Sequence, residues 1–219
     1  MNITTDRPAI SGVPITVRQA TFADLSAVAD VHAVAFRGFF LAEMGHRFLT
    51  AYYGSVLEYA RHVFLIAEAE GRIVGFVCGF LRPNEFYAHM SRQKRRFVVP
   101  ALLGVIRRPW LLLRLVRRTR SVVTGRTRQQ VPMPGVCELS SVAVVPSTGR
   151  KGVGRTLVER FIADTREAGA DEIRLTTDAK GNDRVNEFYQ SLGFELVTAI
   201  DQDGARKMNE YRMRLHPNE

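Results

Sequence analysis

The residues whose types and spacing could do chemistry cluster between Val142 and Arg155. A strand-forming run, Val142-Ala143-Val144-Val145, ends at Pro146, which cannot donate to a ladder and fixes its own φ. A turn follows. From Arg155 the apolar residues Leu157, Val158, Phe161 and Ile162 recur on one helical face until Gly169 offers a stop. Gly152 and Gly154 leave the backbone open at the start of that helix, where unbonded N–H groups and the positive end of the helix dipole favour an anion. Arg150, Lys151 and Arg155 add full charges there. The junction suits a phosphate-like group, and its plain alternative is a strand–helix turn with ordinary glycines. It is neither of the common nucleotide loops: the Gly-x4-Gly-Lys-Ser/Thr spacing is missing, as is the third glycine of the dinucleotide fingerprint.

The elements that must hold this junction are legible on both sides. Downstream, Ile173, Leu175 and Thr177 alternate with Arg174 and Thr176 as a short strand. Asn182 to Phe194 then reads as a helix, with Val185, Phe188 and Leu192 as its buried stripe and Gly193 as its stop. Upstream, Ile15–Arg18 reads as a strand. Thr21 is an N-cap for a helix carrying Leu25, Val28, Ala29, Val31 and His32. A helical stretch near Leu41–Tyr59 follows, then strands His62–Glu70 and Arg72–Leu81 around a Gly71 turn. His32 on an apolar face reads as a packed core histidine.

The order V-A-V-x-P, G-x-G, helix, strand, then N-x-x-V-x-x-F-Y-x-x-x-G-F resembles the GNAT superfamily, the Gcn5-related N-acetyltransferases. The resemblance is strongest over residues 136–197, extends to 15–82, and is absent over 84–131. It implies an α/β (α+β) fold: a central mixed, mostly antiparallel, splayed sheet flanked by helices. It also implies acetyl-CoA as acyl donor. By that matching, Val142, Ala143 and Val144 would pair with the pantetheine arm. The backbone from Arg150 through Lys151, Gly152, Val153 and Gly154 to Arg155 would hold the pyrophosphate. Asn182 would contact the coenzyme, and Tyr189 would reach the thioester sulfur as general acid. One departure is visible: the family usually has Arg or Gln three residues after the proline and then Gly, whereas here the pair is Gly149-Arg150.

Acetyl transfer to an amine needs a neutral amine, a donor for the developing oxyanion and a proton for the departing thiolate. A phenol of ordinary pKa ~10 lies close to a thiol's ~8.5, so Tyr189 suits the last task. A backbone N–H near Val142 suits the second. For the first, Glu138 is the candidate base, since strict period-2 alternation places it on one face with Ser140, Val142 and Val144. Its competitors are His46, Glu43 and a chain of water molecules.

Composition frames the rest. With 219 residues, 46% of them apolar, one domain over 1–219 is the simplest organisation. Cys78 and Cys137 lack metal-ligand spacing and suit a reducing compartment, and no stretch near Met1 reads as a secretion signal, so the expectation is a cytoplasmic protein without metal. Residues 84–131 form a basic amphipathic insert. Between Glu85 and Glu138 there is no acidic residue but there are twelve basic ones, among them Arg92, Lys94, Arg95 and Arg96.

Several roles suit that insert: a lid whose arginines hold a nucleotide-linked acceptor, a helix on an anionic membrane surface, an RNA contact, or a packed or dimer-forming embellishment. Its apolar runs fall short of the ~18 residues that span a bilayer. Phe39–Tyr53 resembles the acceptor region of family members associated with sugar or polysaccharide biosynthesis, which implies a small amine such as an amino sugar. The competing expectations are a membrane- or RNA-binding protein on the same scaffold, and acetylation of aminoacyl-tRNA.

Overall fold

The structure, a computed structural model, describes residues 14–107, 134–146, 152–202 and 206–215. Seven strands form one sheet: β1 (Thr16–Gln19), β2 (His62–Ala69), β3 (Arg72–Leu81), β4 (Val136–Val144), β5 (Glu172–Asp178), β6 (Glu195–Gln202) and β7 (Arg206–Arg214), in the order β1-β2-β3-β4-β5-β7-β6. Neighbours are antiparallel except β4 and β5, which run parallel. The expected hairpin forms: Glu70 and Gly71 both take positive φ (50° and 70°), the backbone a two-residue hairpin turn requires.

Helices cover both faces. A 3-10 turn at Phe22–Asp24, capped by Thr21, leads into α1 (Leu25–Ala35). The predicted helix over 41–59 is divided by Gly45 (φ 91°) into α2 (Phe40–Glu43) and α3 (His46–Glu58). α4 (Pro83–Arg92) and α5 (Lys94–Arg107) follow β3; α6 (Val153–Glu167) precedes β5 and α7 (Asp183–Ser191) follows it. On one face Val28, Leu49 and Tyr53 of α1 and α3 pack on Phe64, Ile66 and Phe76; on the other Leu157, Val158 and Phe161 of α6 pack on Leu65, Val77 and Leu139. Gly79 permits the second contact. A Cβ there would collide with the Glu138 carbonyl and come within 2.6 Å of Phe161 Cζ.

On α7 the burial pattern corrects the sequence reading. Of the expected stripe, Phe188 and Leu192 pack half-buried against the core, but Val185 is 37% exposed, and the buried residue is Tyr189, whose ring meets Phe194 at 5.6 Å and Tyr211 at 6.2 Å. Aromatic partners on β7 and beyond the helix, which periodicity does not reveal, decide which side turns inward.

The described part of the insert is built onto α3. Phe97 packs on Phe48 with ring centroids 5.7 Å apart, Ser55 donates to Gln93 Oε1 at 3.0 Å, and Arg96 pairs with Glu58 at 2.5 Å. Residues 108–131 of that segment lie outside the described residues. No helix among the described residues is long and apolar enough to cross a membrane.

His32 sits in the core as expected, 4% exposed, its Nδ1 2.6 Å from the Tyr53 hydroxyl. Burial lowers its pKa from 6.5 to about 4. The unfolded chain therefore takes up a proton that the native state refuses. The stability this contributes is fully present above pH 6.5 and is lost as pH falls toward 4, with a ceiling of roughly 3 kcal/mol. Chemical denaturation between pH 7 and pH 4 should show this decline, and His32→Gln, which does not titrate, should flatten it.

Candidate active site

β4 and β5 pair only at their beginnings. Val136, Cys137 and Glu138 face Glu172, Ile173 and Arg174, after which β4 runs on to Val144 and β5 to Asp178 without further pairing. Along Leu139–Val144 the β5-facing peptide groups thus have no strand partner among the described residues, and a wedge-shaped opening begins beside Glu138. Unsatisfied peptide groups of this kind attract a ligand that can hydrogen-bond like a strand.

α6 starts at the wide end of this wedge. Gly152 takes φ 76° as its N-cap, and the Thr156 N–H is the first to bond back, to the Gly152 carbonyl at 3.0 Å. Helix geometry leaves the N–H groups of Val153, Gly154 and Arg155 without an intrahelical acceptor. A Cβ at Gly154 would lie 3.7 Å from Val144 Cγ2 and 4.0 Å from Phe188 Cζ, so this turn borders both the end of β4 and α7. The Arg155 side chain is turned away, donating to Ser191 Oγ at 2.6 Å and lying 3.7 Å from Glu159. Arg150 and Lys151 lie outside the described residues.

α7 is fixed to the far wall of the wedge. Asn182 Nδ2 donates to Thr177 Oγ1 at 2.7 Å. Asn186 Nδ2 donates to the Asp178 carbonyl at 3.1 Å, while its Oδ1 accepts from Asn209 Nδ2 and the Tyr211 hydroxyl, each at 3.0 Å. Sequence reasoning missed this anchor, although a tyrosine expected in a core implies a hydrogen-bond partner. One turn later stands Tyr189, 7% exposed, in the same buried cluster as Leu139, Val142 and Val144. Burial pushes its phenol pKa upward, so it remains protonated over the whole working range.

A bulge corrects the position of Glu138. The β3–β4 register passes from Cys78↔Ser141 to Gly79↔Leu139, leaving Ser140 as an extra residue on β4. Alternation is broken there. Val142 and Val144 share the α6 face with Leu139, whereas Glu138 lies opposite Phe80 on the face covered by α1, α3 and α4. Glu138 Oε1 accepts from the Tyr87 hydroxyl of α4 at 2.6 Å, and beside it the Tyr52 hydroxyl of α3 lies 2.8 Å from Ser140 Oγ. Burial raises the Tyr52 pKa and keeps it neutral. The structure thus sets Tyr189 on one side of the sheet and Glu138, with Tyr52, Tyr87 and Ser140, on the other, with the wedge between them. Tyr87 was invisible as a partner because it belongs to the segment without family resemblance.

The other candidates lie elsewhere. His46, half exposed, is held at the start of α3 by the Ser26 carbonyl at 3.2 Å and Asp30 at 3.4 Å on α1. Glu43 is on the short helix α2. Cys78 and Cys137 are free and buried; burial pushes the Cys137 thiol up to about 12 and raises Cys78 as well. Among the described residues no three His, Cys, Asp or Glu side chains gather as metal ligands do.

Gly154 offers a direct test of the wedge. Its replacement by Ala makes only ordinary contacts in the free protein and suits a helix better by ~1 kcal/mol. Gly154→Ala should therefore melt no lower than the wild type, while coenzyme A binding, measured by calorimetry, weakens by about tenfold or more, ~1.4 kcal/mol.

Comparison with known proteins agrees with this geometry. Residues 117–194 match the sequence profile of the acetyltransferase (GNAT) family. Serotonin N-acetyltransferase 2, chloroplastic, from Oryza sativa subsp. japonica is 41% identical over 73 residues, which cover 33% of this chain and 32% of that protein. The chain thus spans about a third of the length of the curated relative it matches. A structure from Desulfovibrio desulfuricans assigned to the GNAT family aligns over 93% of this chain and all of its own, with a TM-score of 0.59 and 16% identity. The yncA protein of Salmonella typhimurium, assigned as an acetyltransferase and solved with its cofactor acetyl-CoA, aligns over 93% of this chain and 95% of its own, also at 0.59 and 16%. The match over 117–194 lays the sequence signature of the acetyltransferase (GNAT) family across β4, β5 and α7, and the sheet around them has the fold of the GNAT acetyltransferase structures.

Proposed function

We propose that this chain is an acetyl-CoA-dependent N-acetyltransferase that transfers the acetyl group directly to a primary amine. The observation that carries the reading is the parting of β4 from β5 beyond Glu138, which opens the sheet between its two faces next to the first turn of α6. The coenzyme's diphosphate would rest on the N–H groups of Val153, Gly154 and Arg155, with Arg150 and Lys151 adding charge, and its amide-bearing arm would pair along Val142–Val144. Asn182 would border the coenzyme where α7 begins.

The amine would approach from the α3/α4 face. Glu138 takes its proton, and the nitrogen lone pair forms a bond to the acetyl carbon as the carbonyl π pair moves onto oxygen. A β4 backbone N–H near Val142 holds that oxyanion. Collapse re-forms the carbonyl and breaks the carbon–sulfur bond; the departing thiolate takes the Tyr189 phenol proton, and the extra proton still on the new amide's nitrogen is lost through solvent, which restores the phenol. The hydroxyls of Tyr52, Tyr87 and Ser140 give the acceptor side a polar wall, which favours a small hydroxylated amine such as an amino sugar.

Release of free thiol from acetyl-CoA in the presence of amino sugars, polyamines, amino acids and peptides tests the reading. Thiol release that depends on at least one amine, matched by the acetylated product, is the expected result. Acetyl-CoA left intact with every amine, by a protein that binds it, would count against the activity.

A further inference from the structure

α5 carries an apolar stripe on the wrong side for a helix that merely covers a core. Its inner side is used by Phe97 on Phe48 and by Arg96 on Glu58. On the other side Val98, Val99 and Leu102 are 59%, 62% and 56% exposed. With Arg95 they follow the i, i+3, i+4, i+7 spacing of one helical stripe. Isolated exposed aliphatics are ordinary. Three that share a stripe form a patch, and such patches mark contact surfaces.

The charges around the stripe select the partner. Arg92, at the end of α4, and Lys94 and Arg95, at the start of α5, are exposed, and no Asp or Glu occurs between Glu85 and Glu138. A cover drawn from residues 108–131 of this chain, or the same face of a second copy, would bring cations against cations, since that stretch holds basic residues and no acidic ones. An anionic lipid surface instead supplies phosphates for Arg92, Lys94 and Arg95 and an acyl boundary for the three aliphatics. We propose that α5 docks the protein peripherally on an anionic membrane through Val98, Val99 and Leu102. This goes beyond the acetyltransferase reading and does not depend on it.

The test is cosedimentation of the full chain with phosphatidylcholine vesicles, with and without about one third phosphatidylglycerol. Expected results are binding at least about tenfold tighter to the anionic vesicles, weakening in 0.5 M salt as an ionic component requires, and a loss of about tenfold or more in the triple variant Val98→Ser, Val99→Ser, Leu102→Ser. These residues are exposed, so the triple variant should melt with the wild type. Arg92→Gln, Lys94→Gln, Arg95→Gln provides a second variant that leaves the stripe intact and should also lose anionic binding. The proposal is overturned if the wild type ignores anionic vesicles, or if the serine variant binds them as tightly. It is equally overturned if the serine changes only dissolve a concentration-dependent dimer, or if RNA is bound where vesicles are not.

Discussion

Tyr189→Phe is expected to lower kcat about 10²- to 10⁴-fold while leaving coenzyme A binding within a factor of a few, because the substitution removes one proton and retains the ring. The ring's contacts with Phe188, Phe194 and Tyr211 do not need the hydroxyl, and Asn186 with Tyr211 continues to hold α7. Pre-steady-state thiol release with a saturating amine, alongside calorimetry for the coenzyme, separates the two effects. If kcat is unchanged, water or another group protonates the thiolate and Tyr189 is a core aromatic. The raised pKa of the buried phenol adds a pH statement: no loss of activity from Tyr189 ionising should occur in the neutral or mildly alkaline range.

Glu138→Gln is expected to reduce kcat/KM about 10²- to 10⁴-fold at neutral pH, with the deficit narrowing as pH rises and the free amine deprotonates unaided. Tyr87→Phe gives a milder companion. Loss of the 2.6 Å hydrogen bond that holds the Glu138 carboxylate should lower kcat/KM by about tenfold, less than Glu138→Gln does. An unchanged kcat/KM would instead mean that Tyr87 only packs. An E138Q enzyme as active as the wild type would return the base to water or to a residue brought by the acceptor.

The sequence was most legible where function depends on backbone conformation. Pro146, Gly152, Gly169 and Gly193 punctuate strand, turn and helix in order, and the last three take φ of 76°, 79° and 91°. Of the residues of α6 chosen by periodicity, Leu157, Val158 and Phe161 are fully buried and Ile162 is half-buried against the same core. Legibility ended where a tertiary contact outranks a local pattern. The bulge at Ser140 moves Glu138 to the face opposite Val142, and strict alternation cannot foresee an extra residue in a ladder. Tyr189 replaces Val185 as the inward residue of α7 because its partners, Phe194 and Tyr211, come from outside the helix. Tyr87 reaches Glu138 from a helix that follows β3, 51 positions away in the chain. Spacing within a motif carries no trace of such a pair.

These differences leave Tyr189 and Glu138 on opposite faces of the sheet, and in the proposed reaction the gap between β4 and β5 would let the donor and acceptor sides meet. The account therefore depends on an anion held where Val153, Gly154 and Arg155 begin α6. Titration calorimetry of the full chain with coenzyme A, and separately with pantetheine, which lacks the diphosphate, addresses this most directly. Saturable binding of coenzyme A at one site per chain, with pantetheine weaker by about 10² or more, is predicted. Equal affinities for the two, or no heat from coenzyme A at all, would contradict it.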